Sequence, residues 1–188
     1  MKKALLAAAV VFAASASVAQ AQSIKPFTFG VSAGAAMPMG DMADGANTGF
    51  EVTGMTEYRG PAIPVTLRGE LTYNRFGVKG LPDGVNGHHG ILGGVVNAIA
   101  PFAATPALKP YVIGGLGVYD VKSTASDGNV DISASKTAFG LNGGLGFQFH
   151  MAGMRTFVEA RYQHVMSKDE NKGFENATGI PVTIGFRF

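Results

Sequence analysis

The chain has 188 residues, no cysteine, 27 glycines and only 15% charged residues. Without cysteine it forms neither disulfides nor thiolate metal sites and has no thiol chemistry, and so much glycine with so little charge suits curved strands and turns better than a helical soluble domain. The formal charge of +2 comes from Lys2 and Lys3; the other 13 Lys+Arg are matched by 13 Asp+Glu, a balance that excludes nucleic acid as an expected partner.

Lys2 and Lys3 open an apolar stretch, Ala4 to Ala14, which leads through small residues to Ala19-Gln20-Ala21, the small-x-small pattern of a secretory cleavage site. Residues 1–21 therefore read as a cleaved signal peptide and residues 22–188 as one domain. The stretch is too short to cross a membrane as a helix, and no run of ~18 or more apolar residues follows.

Alternation then repeats along the chain. Phe27 to Met37 sets Phe27, Phe29, Val31, Ala33 and Ala35 against Thr28, Gly30, Ser32 and Gly34. Gly49 to Arg59 opposes Phe50, Val52 and Tyr58 to Glu51, Thr53, Glu57 and Arg59, and Val65, Leu67, Leu71 and Tyr73 oppose Thr66, Arg68, Glu70, Thr72 and Asn74. Ile91 to Phe102 is apolar on both faces; Leu92, Val96 and Ala98 are assigned outward so that Asn97 turns in. Pro110 to Lys122 is read with Tyr111, Ile113, Tyr119 and Val121 outward and Asp120 inward. In the sixth segment Phe139, Leu141, Leu145, Phe147 and Phe149 alternate with Gly140, Asn142, Gly144, Gly146 and Gln148. Val158, Ala160 and Tyr162 then oppose Glu159, Arg161 and Gln163, and Pro181 to Phe188 closes with Val182, Ile184, Phe186 and Phe188 on one face and Thr183, Gly185 and Arg187 on the other.

A period of two over such lengths predicts strands. Charges gather on one face, and aromatic position says which face is wet. With the first strand starting on the periplasmic side, Phe27, Phe29, Tyr58, Phe102, Tyr111, Phe147, Phe149, Phe186 and Phe188 fall at one rim and Phe50, Tyr73, Tyr119, Phe139 and Tyr162 at the other. Two aromatic girdles bounding an apolar band belong to a membrane barrel. Connections at the first rim are short (Gly60 to Pro64, Ala103 to Lys109, His150 to Met154), while those at the second are long and polar (Pro38 to Asn47, Gly77 to His89, Ser123 to Ser135, Ser167 to Ala177). The expected fold is all-β: an eight-stranded antiparallel transmembrane β-barrel, an up-and-down meander, spending about 21 residues on each strand and its connection.

A barrel of that size has room inside only for its own side chains. The inward charges must therefore meet one another, and Glu51, Arg68, Glu70, Glu159, Arg161 and Arg187 are the expected interior network, structural in role and obstructive to a small-solute channel.

Three segments carry a family resemblance: Leu108-Lys-Pro-Tyr-Val-Ile-Gly-Gly-Leu-Gly-Val118, Thr156-Phe-Val-Glu-Ala-Arg-Tyr-Gln-His164 and Ile180-Pro-Val-Thr-Ile-Gly-Phe-Arg-Phe188. Together the chain resembles the small outer-membrane β-barrel family that includes opacity-type and OmpA/OmpX-like proteins. The resemblance implies an integral protein of a Gram-negative-type outer membrane, in contact with its lipids and lipopolysaccharide. It also implies insertion by the barrel-assembly machinery through the closing strand, with Val182, Ile184, Phe186 and Phe188 as the assembly signal, and a structural, adhesive or surface-interaction role for the outer loops without enzymatic activity or cofactor. No peptidoglycan-binding domain follows Phe188, so anchoring by that route is not expected.

Sharper chemistry finds little support. His88-His89 with Asp83 nearby has metal-ligand residue types but reads as polar loop, and no metal site is expected. The Gly93-Gly94, Gly114-Gly115 and Gly143-Gly144 pairs lack the strand-loop-helix setting of a phosphate cradle and read as strand curvature. Met37, Met39 and Met42 with Asp41 and Asp44 read as a loop. His164 and Ser167 look superficially like the His and Ser of barrels that deacylate lipid A, yet strand residues three apart face opposite sides, so the two cannot share a face without a bulge.

Overall fold

The computed structural model describes residues 26–61, 63–80, 86–102, 105, 107–126, 131–151, 153–166 and 176–188. The signal-peptide residues 1–21, Asp83 and Ser167 lie outside that set.

The eight strands are β1 (Phe27–Met39), β2 (Gly49–Tyr58), β3 (Thr66–Gly77), β4 (Asn86–Pro101), β5 (Lys109–Ser126), β6 (Asp131–Met151), β7 (Met154–Met166) and β8 (Asn176–Arg187), with one short helix, α1 (Asp41–Gly45). Each strand pairs antiparallel with the next, and β8 returns to β1 to close the barrel. Closure is staggered. Following partners from Phe29 through Thr56, Gly69, Val96, Leu116, Leu141, His164 and Thr178 returns to β1 at Met39, ten residues along from the start. That offset is what strands tilted by about 40° to the barrel axis require.

The rim holding Phe27 and Phe188 is here the terminal rim, and the opposite one the far rim. At the terminal rim Gly153 (φ 79°) makes the reversal between β6 and β7, a left-handed conformation that glycine adopts without strain. At the far rim the expected loop Pro38 to Asn47 contains α1, entered through Gly40 (φ 58°). The helix turns inward: Met42 and Ala46 are buried, Ala46 bridges Val78, and the Lys79 ammonium donates to the Ala43 carbonyl at 2.6 Å.

Relative to a water-soluble barrel this one is inside out. Val96, Leu116 and Phe139 are 59%, 62% and 69% exposed, whereas Arg68 and Glu51 are completely buried. A continuous apolar exterior of this kind requires a nonaqueous surround.

Two sequence expectations fail. On β5 the faces are reversed: Tyr111, Ile113 and Tyr119 are buried in the lumen, while Val112, Leu116 and Val118 face out and Asp120, paired with the outward Leu92, turns out with them. Tyr111 and Tyr119 therefore leave the aromatic girdles for the interior. Both parities of this strand are apolar, and Asp120 stands close enough to the far rim for an outward carboxylate to be solvated. The second failure concerns loops. Strands β4, β5 and β6 continue past the rim, so His88 and His89 belong to β4 and most of Ser123 to Ser135 is paired strand. Adjacent strand residues face opposite ways, and the two imidazoles diverge, His89 inward and His88 outward.

Candidate functional site: the charged lumen

Strands β3 and β7 are four apart in an eight-stranded ring and so stand on opposite walls. Inward parity gives each one an acid and an arginine: Arg68 and Glu70 on β3, Glu159 and Arg161 on β7. They pair reciprocally across the lumen. Arg68 Nη1 donates to Glu159 Oε2 at 2.9 Å, and Arg161 Nη1 donates to Glu70 Oε2 at 2.6 Å. Each guanidinium also meets the acid on its own wall, Arg68 Nη1 with Glu70 Oε1 at 3.2 Å and Arg161 Nε with Glu159 Oε1 at 3.2 Å.

The quartet is extended at both ends. Towards the far rim, Arg161 Nη2 donates to Glu51 Oε1 at 3.1 Å. Towards the terminal rim, Arg68 Nε donates to Glu57 Oε1 at 2.8 Å, and Arg187 Nε approaches the same oxygen at 3.1 Å. Arg187 Nη1 further donates to Gln148 Oε1 at 2.5 Å. All six residues named from the sequence thus meet in one cluster. Glu57, assigned inward but not named among them, is a seventh member.

Aromatic rings complete the layer. Phe157 meets two guanidiniums, with Arg187 4.6 Å and Arg68 5.2 Å from its centroid, and Arg187 also lies 5.6 Å from the ring centre of Tyr111. These are cation–π distances. Tyr111 donates its hydroxyl proton to Glu159 Oε2 at 2.7 Å. Neither ring was expected here, yet a signal for both exists in the register. Tyr111 is opposite Gly146, Tyr119 opposite Gly93 and Phe157 opposite Gly185. Every one of these lumen rings lies over a position without a side chain, so the glycines make room for packing.

Above the charges the lumen becomes apolar. Met42 and Ala46 of the α1 segment join Ala36, Phe76, Ile91, Val95, Tyr119 and Val165 in one buried cluster. From the far rim inward, the bore thus holds a hydrocarbon plug, then the ion pairs, then the rings of Tyr111 and Phe157 against guanidiniums.

The remaining candidates lie apart from this. His164 faces outward, its Nδ1 2.9 Å from the Thr178 hydroxyl and its ring stacked on Tyr162 at 6.5 Å. Among the described residues no group of three or more His, Asp or Glu has the geometry of a metal site. Val182 and Ile184 of β8, and Phe188 directly after it, are exposed.

Comparison with known proteins agrees with this architecture. No curated protein matches the chain. Among solved structures it is similar to Neisserial surface protein A (TM-score 0.61, 20% identity, 87% of this chain and 96% of that one). It is also similar to a major outer membrane protein from Thermus thermophilus (TM-score 0.55, 12% identity, 87% and 100%) and to the attachment invasion locus protein Ail of Yersinia pestis (TM-score 0.50, 17% identity, 86% and 97%). At these identities the likeness is one of fold. The outer membrane protein beta-barrel domain model matches residues 4–188, nearly the entire chain, and the protein belongs to that family of outer-membrane barrels.

Proposed function

We propose that this protein is a non-enzymatic, non-conducting outer-membrane barrel that serves as a scaffold for the segments at its far rim, which face the cell exterior and carry a structural or surface-interaction role. The observation that carries the reading is the reciprocal bridging of Arg68 to Glu159 and Arg161 to Glu70 across the bore. To pass, an ion would have to separate both buried pairs, and removing one partner of such a pair costs about 3–5 kcal/mol. In its passage it would also have to displace Met42. Two of the fold neighbours are by name a surface protein and an attachment protein, and a surface role of that kind is what we assign here. Residues 1–21 act as the export signal, and the outward apolar side chains Val182, Ile184, Phe186 and Phe188 as the feature the assembly machinery reads.

The lipid-hydrolase alternative needs a nucleophile beside its base and a group that orients the base. The candidate pair, His164 and Ser167, stand three apart in the chain, a spacing that on a strand sets two residues on opposite faces, which supports the non-enzymatic reading. Planar-bilayer recording of the refolded protein tests the sealed bore: no large steady conductance is expected, and a stable open pore in the wild type would overturn the reading in favour of a channel.

A further inference from the structure

Arg75, His88 and Lys122 come from three neighbouring strands and point away from the lumen. Arg75 pairs with Gly90, and Gly90 pairs with Lys122, so two cations flank a position without a side chain in a single row across the sheet. At ~4.8 Å between strands their Cα atoms are about 10 Å apart, a span that two long side chains can close around one tetrahedral anion. Tyr73 leans over the gap from the row below: a Cβ at Gly90 would lie 3.4 Å from its hydroxyl oxygen. His88 follows on the same face of β4, opposite Gly77. Besides partial loss of solvent, the charges of Arg75 and Lys122 lower its proton affinity, which shows that all three lie within Coulombic reach.

Such a cluster is costly without a counterion, since like charges on one face of a sheet repel. Among the described residues none of the three forms an ion pair. The nearest acid on this face in the register, Asp120, sits two positions nearer the terminal rim than Lys122, opposite Leu92, and does not pair with it. The location supplies the missing anion. Tyr73, one step below the cationic row, and Phe50, directly opposite Arg75, mark the far-rim girdle, their rings 6.3 Å apart, so the row begins level with the girdle, where hydrocarbon gives way to headgroups. Arginine and lysine at that depth attract anionic lipid.

We propose that Tyr73, Arg75, His88 and Lys122 form a binding site for the phosphate-bearing headgroup of a membrane lipid in the leaflet around the far rim. The orientation argued above decides only which leaflet supplies it, and the site is independent of whether the bore conducts.

The test uses the full barrel refolded in a neutral detergent and titrated with a soluble short-chain phosphatidic acid, with short-chain phosphatidylcholine and inorganic phosphate as competing probes. Wild type should bind phosphatidic acid in preference to both. The triple variant Arg75→Gln, His88→Gln, Lys122→Gln should weaken that binding about thirtyfold. A control that removes equal formal charge at the other rim, Lys109→Gln with Arg155→Gln, should stay within about twofold of wild type. Equal loss in triple and control variants would reduce the effect to net charge and overturn the site, as would no loss in the triple variant. Inorganic phosphate bound as tightly as the lipid would overturn the lipid assignment. Should the triple variant not refold, Lys122→Gln alone, expected to lose about fivefold, decides the matter by the same comparison.

Discussion

Tyr111 stands directly opposite Gly146 on β6 and reaches over it to hydrogen-bond Glu159, the residue that faces Gly146 from β7. Three successive strands thus share one row, with an aromatic ring lying across the glycine in the middle. A Cβ at Gly146 would overlap the ring at Cζ. Gly146→Ala should therefore displace Tyr111, weaken its bond to Glu159, and cost about 1–3 kcal/mol as other overpacking changes do. Chemical denaturation in lipid measures this. In combination with Tyr111→Ala the cost should fall below the sum of the two singles, because the clash no longer has a partner.

Arg161→Ala removes a guanidinium shared by Glu51, Glu70 and Glu159, and the uncompensated acids should lower stability by about 3–5 kcal/mol. The paired change Glu159→Gln with Arg161→Gln should cost less than its two components added. The cluster holds four carboxylates to three guanidiniums, and Glu51 is its outlying acid, with Oε2 lacking a hydrogen-bond partner among the described residues. Glu51→Gln should accordingly cost less than Glu159→Gln, whose carboxylate meets Arg68, Arg161 and Tyr111. Strict additivity, or a more damaging Glu51→Gln, would count against a coupled network.

The reversed faces of β5 give a direct contrast. Leu116→Arg puts a charge against lipid and should cost about 2–4 kcal/mol near the bilayer middle. Single cysteines at positions 116 and 113, each tagged with a fluorophore, should report the same asymmetry: quenching by brominated lipid at 116 and little at 113. The opposite ranking would restore the orientation read from sequence.

The chain has no native cysteine, so α1 can be probed cleanly. Asp41→Cys is exposed and should react with a membrane-impermeant maleimide on intact cells, while Met42→Cys, buried in the far-rim plug, should react far more slowly until the protein is denatured. Labelling of Asp41→Cys only after the outer membrane is permeabilised would invert the topology.

How much of this was legible depended on how unequal the two faces of a strand are. On β2, β3 and β7 alternation gathers Glu51, Glu57, Arg68, Glu70, Glu159 and Arg161 on one face, and the aromatic rims then turn that face into the lumen. On β5 both faces are apolar, and the reading leaned on Asp120 and on the habit of tyrosines to sit at membrane interfaces. That habit misled, because Tyr111 and Tyr119 answer to the space left by Gly146 and Gly93, and a vacancy on a neighbouring strand is invisible until the register is known. Phe157 escaped notice for the same reason. The histidines and the hairpin beyond the rim were misplaced because polar and glycine-rich sequence resembles loop even where backbone pairing continues.

The bridges across the bore also bear on the order of assembly. Arg68 and Glu159 lie 91 positions apart in the chain, as do Arg161 and Glu70. Until the seventh strand arrives, Glu70 has only the arginine on its own strand, and Arg161 has no acid to meet except its neighbour Glu159. A half-built sheet would thus hold charged side chains against hydrocarbon with most of their counterions still elsewhere. Contacts so distant in sequence slow folding, and here they also leave partial barrels no stable place to rest: the wall closes as one event, or the chain stays at the membrane surface.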